Sequence, residues 1–244
     1  LYLLTGAGMD MGNMDMSGMN MSGMDMGGMD MGGMPMTWDA RYAVIMFLMW
    51  WIMMIAMMLP SAAPMILLFA LVNRKNRERD ARYVSTSIFA FGYLVAWAGF
   101  SLAATILHYL LEQAGLLSMR MASAADWLGA ALLIAAGVYQ FTPLKDACLR
   151  HCRSPIAFIT EHWRPGPSGV LRMGIYHGAY CVGCCWVVMG LLFYGGVMSM
   201  WWIVGLAALV LLEKVLPIGR GIASLSGIGF LIWGALIAVS RISA

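Results

Sequence analysis

Long apolar runs, separated by short blocks of charge, constrain the fold of this chain more than any other feature. Of its 244 residues, 61% are hydrophobic and 11% are charged, and the mean hydropathy is +0.78. Soluble domains, by contrast, contain roughly a quarter charged residues. An apolar run of about 20 residues is long enough to cross a hydrocarbon core of roughly 30 Å as a helix. The sequence therefore predicts an integral membrane protein with an all-α fold, a polytopic bundle of transmembrane helices.

About six transmembrane helices are predicted, in a domain that comprises residues 38–244. Pro60 and Pro64 predict an interruption of the first helix at 59–64, because each proline removes a backbone hydrogen bond. Residues 142–172 are predicted to be a polar loop. Leu1 to Leu4 resemble the end of an apolar run, so a signal peptide or one further helix upstream is left open. The predicted helices span 42–72, 83–111, 127–141, 173–194, 199–212 and 222–240.

The distribution of lysine and arginine predicts the orientation of these helices. If the loops after the first, third and fifth helices face the cytoplasm, they hold 12 of the 15 basic residues of the chain, in agreement with the positive-inside rule. This orientation places residues 1–37 outside the cytoplasm and favours a bacterial inner membrane with a periplasmic N-terminal tail. Because the lipid bilayer explains the basic balance, no nucleic-acid partner is expected.

Residues 1–37 form a Met-rich tail in which a Met-x-Met pair recurs every five residues, six times over. The remaining residues are mostly small or polar and cannot build a core, so the tail is predicted to be disordered. Thioethers are soft, uncharged ligands that suit Cu(I). The alternative is a low-complexity linker that is merely rich in Met. The twelve candidate ligands are Met9, Met11, Met14, Met16, Met19, Met21, Met24, Met26, Met29, Met31, Met34 and Met36.

The fourth predicted helix carries the sharpest signal within the membrane. At 100° per residue, His177, Cys181, Cys184 and Cys185 fall within an arc of about 100° on one helix face. An imidazole and three thiols on one face predict a metal site, and an ionisable residue in a membrane segment is a functional candidate. The alternative is that the cysteines are small apolar residues at a close helix contact, marked by the glycines nearby.

Two further sets of residues are candidate ligands. In the first predicted helix, Met53 and Met57 are placed at a depth comparable with Cys184 and Cys181, although a methionine stripe is also common in apolar packing. In the polar loop, Cys148 and Cys152 would lie one turn apart if the segment were helical, and could then share a metal or form a disulfide. The alternative for this pair is that both are ordinary loop cysteines.

Three separated segments, 53–61, 139–155 and 178–186, resemble in matching order a bacterial family of predicted metal-binding integral membrane proteins, a domain family of unknown function. The resemblance covers about residues 42–240 and implies metal binding in a membrane. The tail also resembles the Met-rich segments of periplasmic copper-resistance proteins. No nucleotide-binding or hydrolase motif occurs, so an ATP-driven pump is excluded unless another chain supplies the nucleotide domain.

These observations predict a membrane protein that captures Cu(I) with its tail and holds or relays it through Cys, His and Met ligands, for transport or for delivery to a cuproenzyme. Two alternatives stay open. One is a structural or accessory subunit of a larger membrane complex, such as a copper-dependent oxidase or monooxygenase. The other is an enzyme with its own redox centre on the cysteine-rich face.

Overall fold

The computed structural model describes residues 38–78, 85–117, 126–164, 166–197 and 199–242, and the regular elements in these ranges are all α-helices. They belong to one compact unit that begins at Trp38. The predicted tail, with its twelve candidate ligands, lies outside the described residues. The helices are α1 (Ala40–Glu78), α2 (Thr86–Gln113), α3 (Asp126–Gln140), α4 (Pro143–Arg153), α5 (Pro155–His162), α6 (Pro167–Gly190), α7 (Leu192–Gly195), α8 (Met200–Val215) and α9 (Gly219–Ile242).

Four segments of the described chain are long and apolar enough to cross a membrane: Ala40–Arg74, Thr86–Gln113, Pro167–Gly195 and Gly219–Ser240. A fifth is added if α3 and α4, which meet at a bend of 64°, are counted as one broken span. Four of the six predicted transmembrane helices thus correspond to helices that are long and apolar enough to cross a membrane. The third and fifth predicted helices correspond to α3 and α8, whose 15 and 16 residues reach only roughly 23 Å.

The predicted interruption of the first helix is wrong, because α1 runs without a break through Pro60 and Pro64. Polar side chains support the helix at this point. The carbonyl oxygen of Met58 accepts hydrogen bonds from Ser61 Oγ at 2.8 Å and from Tyr93 OH at 3.1 Å. Proline is tolerated inside such helices where neighbouring groups satisfy the disturbed backbone.

The predicted polar loop at 142–172 is also wrong, because this stretch forms α4, α5 and the first turn of α6. Each helix begins with a proline, whose missing N–H is not needed at a first helical position. Thr142 caps α4 by accepting a hydrogen bond from the backbone N–H of Lys145 at 3.3 Å. The consequence is that Cys148 and Cys152 both lie on α4, one helical turn apart.

Glycines allow α2 and α6 to pack closely. A Cβ atom on Gly174 would lie 2.1 Å from the carbonyl oxygen of Phe89, and one on Gly178 would lie 2.5 Å from Cβ of Ala96. Side chains larger than hydrogen would force the two helices apart. The close contact expected from the glycines near the cysteines is therefore confirmed, and it brings Tyr93 of α2 against the cysteine-bearing face of α6.

A buried polar network holds α4 against α3, α8 and α9. Lys145 Nζ lies 2.6 Å from Glu213 Oε2 and also donates to the side-chain oxygen of Gln140. Gln140 Nε2 donates to Glu213 Oε1 at 3.0 Å and to Ser226 Oγ at 2.8 Å. Arg153 Nη2 binds the backbone oxygen of Leu216 at 2.8 Å, which ties the end of α4 to the end of α8. The position of α4, and of its two cysteines, is thereby fixed.

Candidate metal site

The four predicted side chains of α6 are all buried on one face. His177, Cys181, Cys184 and Cys185 are each at most 2% exposed, and the three cysteines belong to the main apolar core. Their spacing of four, three and one residues produces this shared face, as the helical geometry requires. A face of a single helix thus carries three thiols into the centre of the bundle.

Helix α4 brings the other two cysteines of the chain to the same place. Cys148 Sγ packs on Gly183, where an added Cβ would lie only 2.8 Å away. Cys152 is half-buried and packs against the core that contains Cys181 and Cys184, near enough for their thiols to affect its own. All five cysteines of the chain are free thiols. They therefore meet at the contact of α4 with α6, although 29 residues separate Cys152 from Cys181 along the chain.

Helix α1 adds a thioether to this group. Cys185 Sγ lies 4.0 Å from Met58 Sδ, and Met58 is fully buried. The two predicted methionines have different positions: Met57 is buried in the same core, whereas Met53 is half-buried at its edge. The thioether closest to a thiol among these three is therefore that of Met58. We call Met58, Cys152, Cys181, Cys184 and Cys185 the soft-donor cluster.

A buried lysine reaches the soft-donor cluster from α8. Lys214 Nζ lies 2.9 Å from Cys181 Sγ and 3.2 Å from Ser61 Oγ, and only 7% of Lys214 is exposed. Tyr93 OH lies 3.2 Å from the same sulfur of Cys181. Within the described residues, Lys214 forms no ion pair with a carboxylate, because the neighbouring Glu213 is bound to Lys145. The sulfur of Cys181 is the contact of Lys214 that can carry a balancing negative charge.

His177 is near this cluster but is enclosed by aromatic rings. Its ring centroid lies 5.3 Å from that of Phe158, 5.9 Å from that of Tyr93 and 6.0 Å from that of Phe89. Its Nδ1 atom has no hydrogen-bond partner among the described residues. Tyr93 therefore contacts both the imidazole and the thiol of Cys181. The imidazole itself has no hydrogen bond to a thiol in the described structure.

A sequence model of a protein family, PpoB2, described as copper chaperone, matches residues 47–237. The chain belongs to this copper chaperone family. No curated protein and no solved structure matches it. The matched residues include every member of the soft-donor cluster together with Lys214. The predicted relation to copper is thereby confirmed at the level of the family.

The soft-donor cluster has the chemistry that a copper chaperone needs, although its side chains are not yet arranged around an ion. Thiolate and thioether ligands select Cu(I) over hard cations such as Mg²⁺ and Ca²⁺. Cys184 and Cys185 both donate to the backbone oxygen of Cys181 at 3.1 Å. Among the described side chains, no three of the His, Cys, Asp and Glu type are already placed to bind one metal ion. Rotation of the thiols away from that carbonyl would free them as ligands.

Sequence reasoning missed three residues of this site: Met58 as the closest thioether, Tyr93 and Lys214. The predicted fifth helix ended at residue 212, so Lys214 was expected in a cytoplasmic loop, whereas α8 continues to Val215 and buries it. A pair of charges, Glu213 and Lys214, at the end of an apolar run was the available signal. Tyr93 offered no signal, since a tyrosine in an apolar helix is ordinary.

Proposed function

We propose that this copper chaperone is an integral protein of the bacterial inner membrane that binds Cu(I) at the soft-donor cluster and relays it to a membrane cuproenzyme. The Met-rich tail collects the ion on the periplasmic side. The observation that carries this proposal is the convergence of all five cysteines and Met58 from three helices on one buried place. Cysteines that serve only as small apolar residues would not be expected to cluster in one place.

The charge of Lys214 supports a monovalent cargo. Burying net charge in a low-dielectric interior is costly. One thiolate, that of Cys181, balances the ammonium group at 2.9 Å. If a Cu(I) ion binds while one further thiol loses its proton, the total charge of the site does not change. A divalent ion such as Zn²⁺ would require two such deprotonations for the same balance, so Cu(I) needs one thiolate fewer in this buried place.

Helix α1 provides a path toward the cluster. Three of its buried methionines, Met46, Met54 and Met58, recur at steps of eight and four residues and therefore lie on one side of the helix. Met54 and Met58 are one turn apart, and thioethers at that spacing can exchange a soft ion without charge separation, while Met46 lies about two turns before Met54. At the other side of the cluster, Cys152 is the half-buried cysteine, and we propose it as the ligand from which the ion leaves.

Cu(I) retention by the purified full-length chain under reducing conditions tests this function. Replacing Cys181, Cys184 and Cys185 by Ser should abolish retention of one ion against a Cu(I) chelator, while the tail continues to bind more weakly. Unchanged retention in this variant would refute the proposal.

A matched pair of methionines gives a finer test that does not disturb the fold. Met58→Leu should weaken retention about tenfold, as expected for loss of one ligand or its close support. Met65→Leu is the control, since Met65 is equally buried on α1 but belongs to a separate apolar cluster. Both exchanges conserve volume and should cost less than about 1.5 kcal/mol of stability. Equal effects of the two variants would exclude Met58 from the site.

The recipient is tested by purification under conditions that keep membrane complexes intact. A cuproenzyme that copurifies in stoichiometric amount would favour the accessory-subunit alternative. Transfer of Cu(I) to such an enzyme on mixing, without a stable complex, would favour a relay.

A further inference from the structure

His108 carries a buried nitrogen atom without a partner, far along the chain from the cysteines. Within the described residues, four buried side-chain nitrogens lack a hydrogen-bond partner: Nε1 of Trp50, Nε1 of Trp97, Nδ1 of His108 and Nδ1 of His177. The two indole groups are donors and cannot bind a cation through nitrogen. His177 adjoins the soft-donor cluster. His108, which is 2% exposed, belongs to a different place and has no role in the site described above.

The other nitrogen of His108 faces a carboxylate, at a distance longer than a hydrogen bond. His108 Nε2 lies 3.9 Å from Glu112 Oε2, and Trp38 Nε1 donates a hydrogen bond of 2.9 Å to the same oxygen. A proton on Nε2 is favoured by the facing carboxylate, which leaves the lone pair on Nδ1. Histidines that bind metals commonly have this arrangement, in which one nitrogen faces a carboxylate and the other holds the ion.

His108 also lies close to the residue at which the described structure begins. Trp38 directly follows the tail in the sequence, and its ring centroid is 6.1 Å from that of His108. The ring centroid of Phe193 lies 6.1 Å from that of His108 and 5.0 Å from that of Trp50. Met46 precedes Trp50 by one helical turn on the same buried face of α1 and is 4% exposed. Phe193 and Trp50 thus connect the imidazole with the face of α1 that carries its first buried methionine.

We propose that Nδ1 of His108 is a second copper ligand, which takes Cu(I) at this end of α2 before the ion moves to Met46 and onward to the soft-donor cluster. Imidazole and thioether are both suitable Cu(I) ligands. The step exchanges ligands only, and the copper keeps its oxidation state. The inference rests on the proposed function in two respects, that Cu(I) is the cargo and that the soft-donor cluster is its destination.

The chain has only four histidines and none in the tail, so its imidazole nitrogens can be followed one by one. The full-length protein labelled with ¹⁵N-histidine would be titrated with Cu(I) under reducing conditions, and signals would be assigned by single His→Gln variants. The Nδ1 signal of His108 should shift on titration. His162 is the internal control, because its Nδ1 is already within 3.2 Å of a backbone oxygen, and its signals should not move.

A kinetic measurement complements the spectrum. His108→Gln should slow the loading of the soft-donor cluster about tenfold, whereas His162→Gln should not. The loading is measured as protection of the cysteines from alkylation. An unshifted Nδ1 of His108 at saturation overturns the inference, even if the cysteines bind copper. A His108 shift that persists in the Cys181/Cys184/Cys185→Ser variant supports it independently. If that shift occurs while the cysteines of the unmodified protein stay reactive, the proposed function and the onward transfer fail, and His108 remains supported as a copper ligand.

Discussion

Lys145 and Lys214 are both buried lysines, yet their partners differ. Lys145 is 1% exposed and pairs with Glu213 at 2.6 Å, with Gln140 as a further acceptor. Lys214, the next residue after Glu213 on α8, contacts the sulfur of Cys181 and the hydroxyl of Ser61. A carboxylate holds its lysine permanently. A thiol sulfur can also bind a soft metal. The negative charge that balances Lys214 and the negative charge that balances Cu(I) are therefore both carried by cysteine thiolates.

The difference separates a structural cation from a functional one. A buried ion pair with satisfied hydrogen bonds fixes the helices that supply it, here α4 and α8, without adding much net stability. A buried lysine beside thiols instead stabilises a thiolate through a charge-assisted hydrogen bond. Breaking the Lys145 pair is therefore expected to lower stability most, whereas replacing Lys214 is expected to lower copper binding most.

The largest effect is expected on the structural side. Glu213→Gln should destabilise the protein by about 3–5 kcal/mol, because it leaves the ammonium group of Lys145 buried without a balancing charge. Thermal unfolding in detergent would measure the loss. The double variant Lys145→Met/Glu213→Leu removes both charges and should recover most of it. If the double variant were as unstable as Glu213→Gln, the ion pair would not explain the effect.

A smaller and different effect is expected for Lys214. Lys214→Met should change stability by only about 1 kcal/mol, since the lost hydrogen bonds are offset by removal of a buried charge. Cu(I) retention, however, should weaken about tenfold, as for loss of a group that supports a metal ligand. Lys214→Gln keeps donors without the charge and serves as the control, with the same loss of retention expected. Retention as strong as that of the unmodified protein in Lys214→Met would show that the lysine has no part in binding.

The smallest effect is expected for Ser61, which links Lys214 to α1. Ser61→Ala removes the acceptor of Lys214 at 3.2 Å and the donor to the Met58 carbonyl at 2.8 Å. Because Tyr93 still binds that carbonyl, the loss of stability should be about 1 kcal/mol, measured by the same unfolding assay. A loss as large as that of Glu213→Gln would mean that Ser61, rather than Cys181, is the main support of Lys214.

Local patterns sufficed for much of the helical architecture. Apolar runs located the four long spans, and the spacing of Cys181, Cys184 and Cys185 placed them on one face, because periodicity along a helix depends only on the chain itself. Local sequence patterns did not predict that α1 continues through Pro60. This continuity depends on Ser61 and on Tyr93, a residue of another helix. The helices of 142–172 were in principle accessible, since Thr142 and Pro143 are ordinary signals of a helix start.

The sequence by itself determined that soft sulfur ligands are held in an apolar helical chain, because residue chemistry and helical period do not depend on distant contacts. Only the tertiary structure decided that Cys152 meets Cys181, that Met58 rather than Met53 is the near thioether, and that Lys214 rather than a carboxylate faces the thiols. Each of these is a contact between separate helices, so it depends on how the helices pack, and here glycines at the α2–α6 contact and the Lys145–Glu213 pair set that packing.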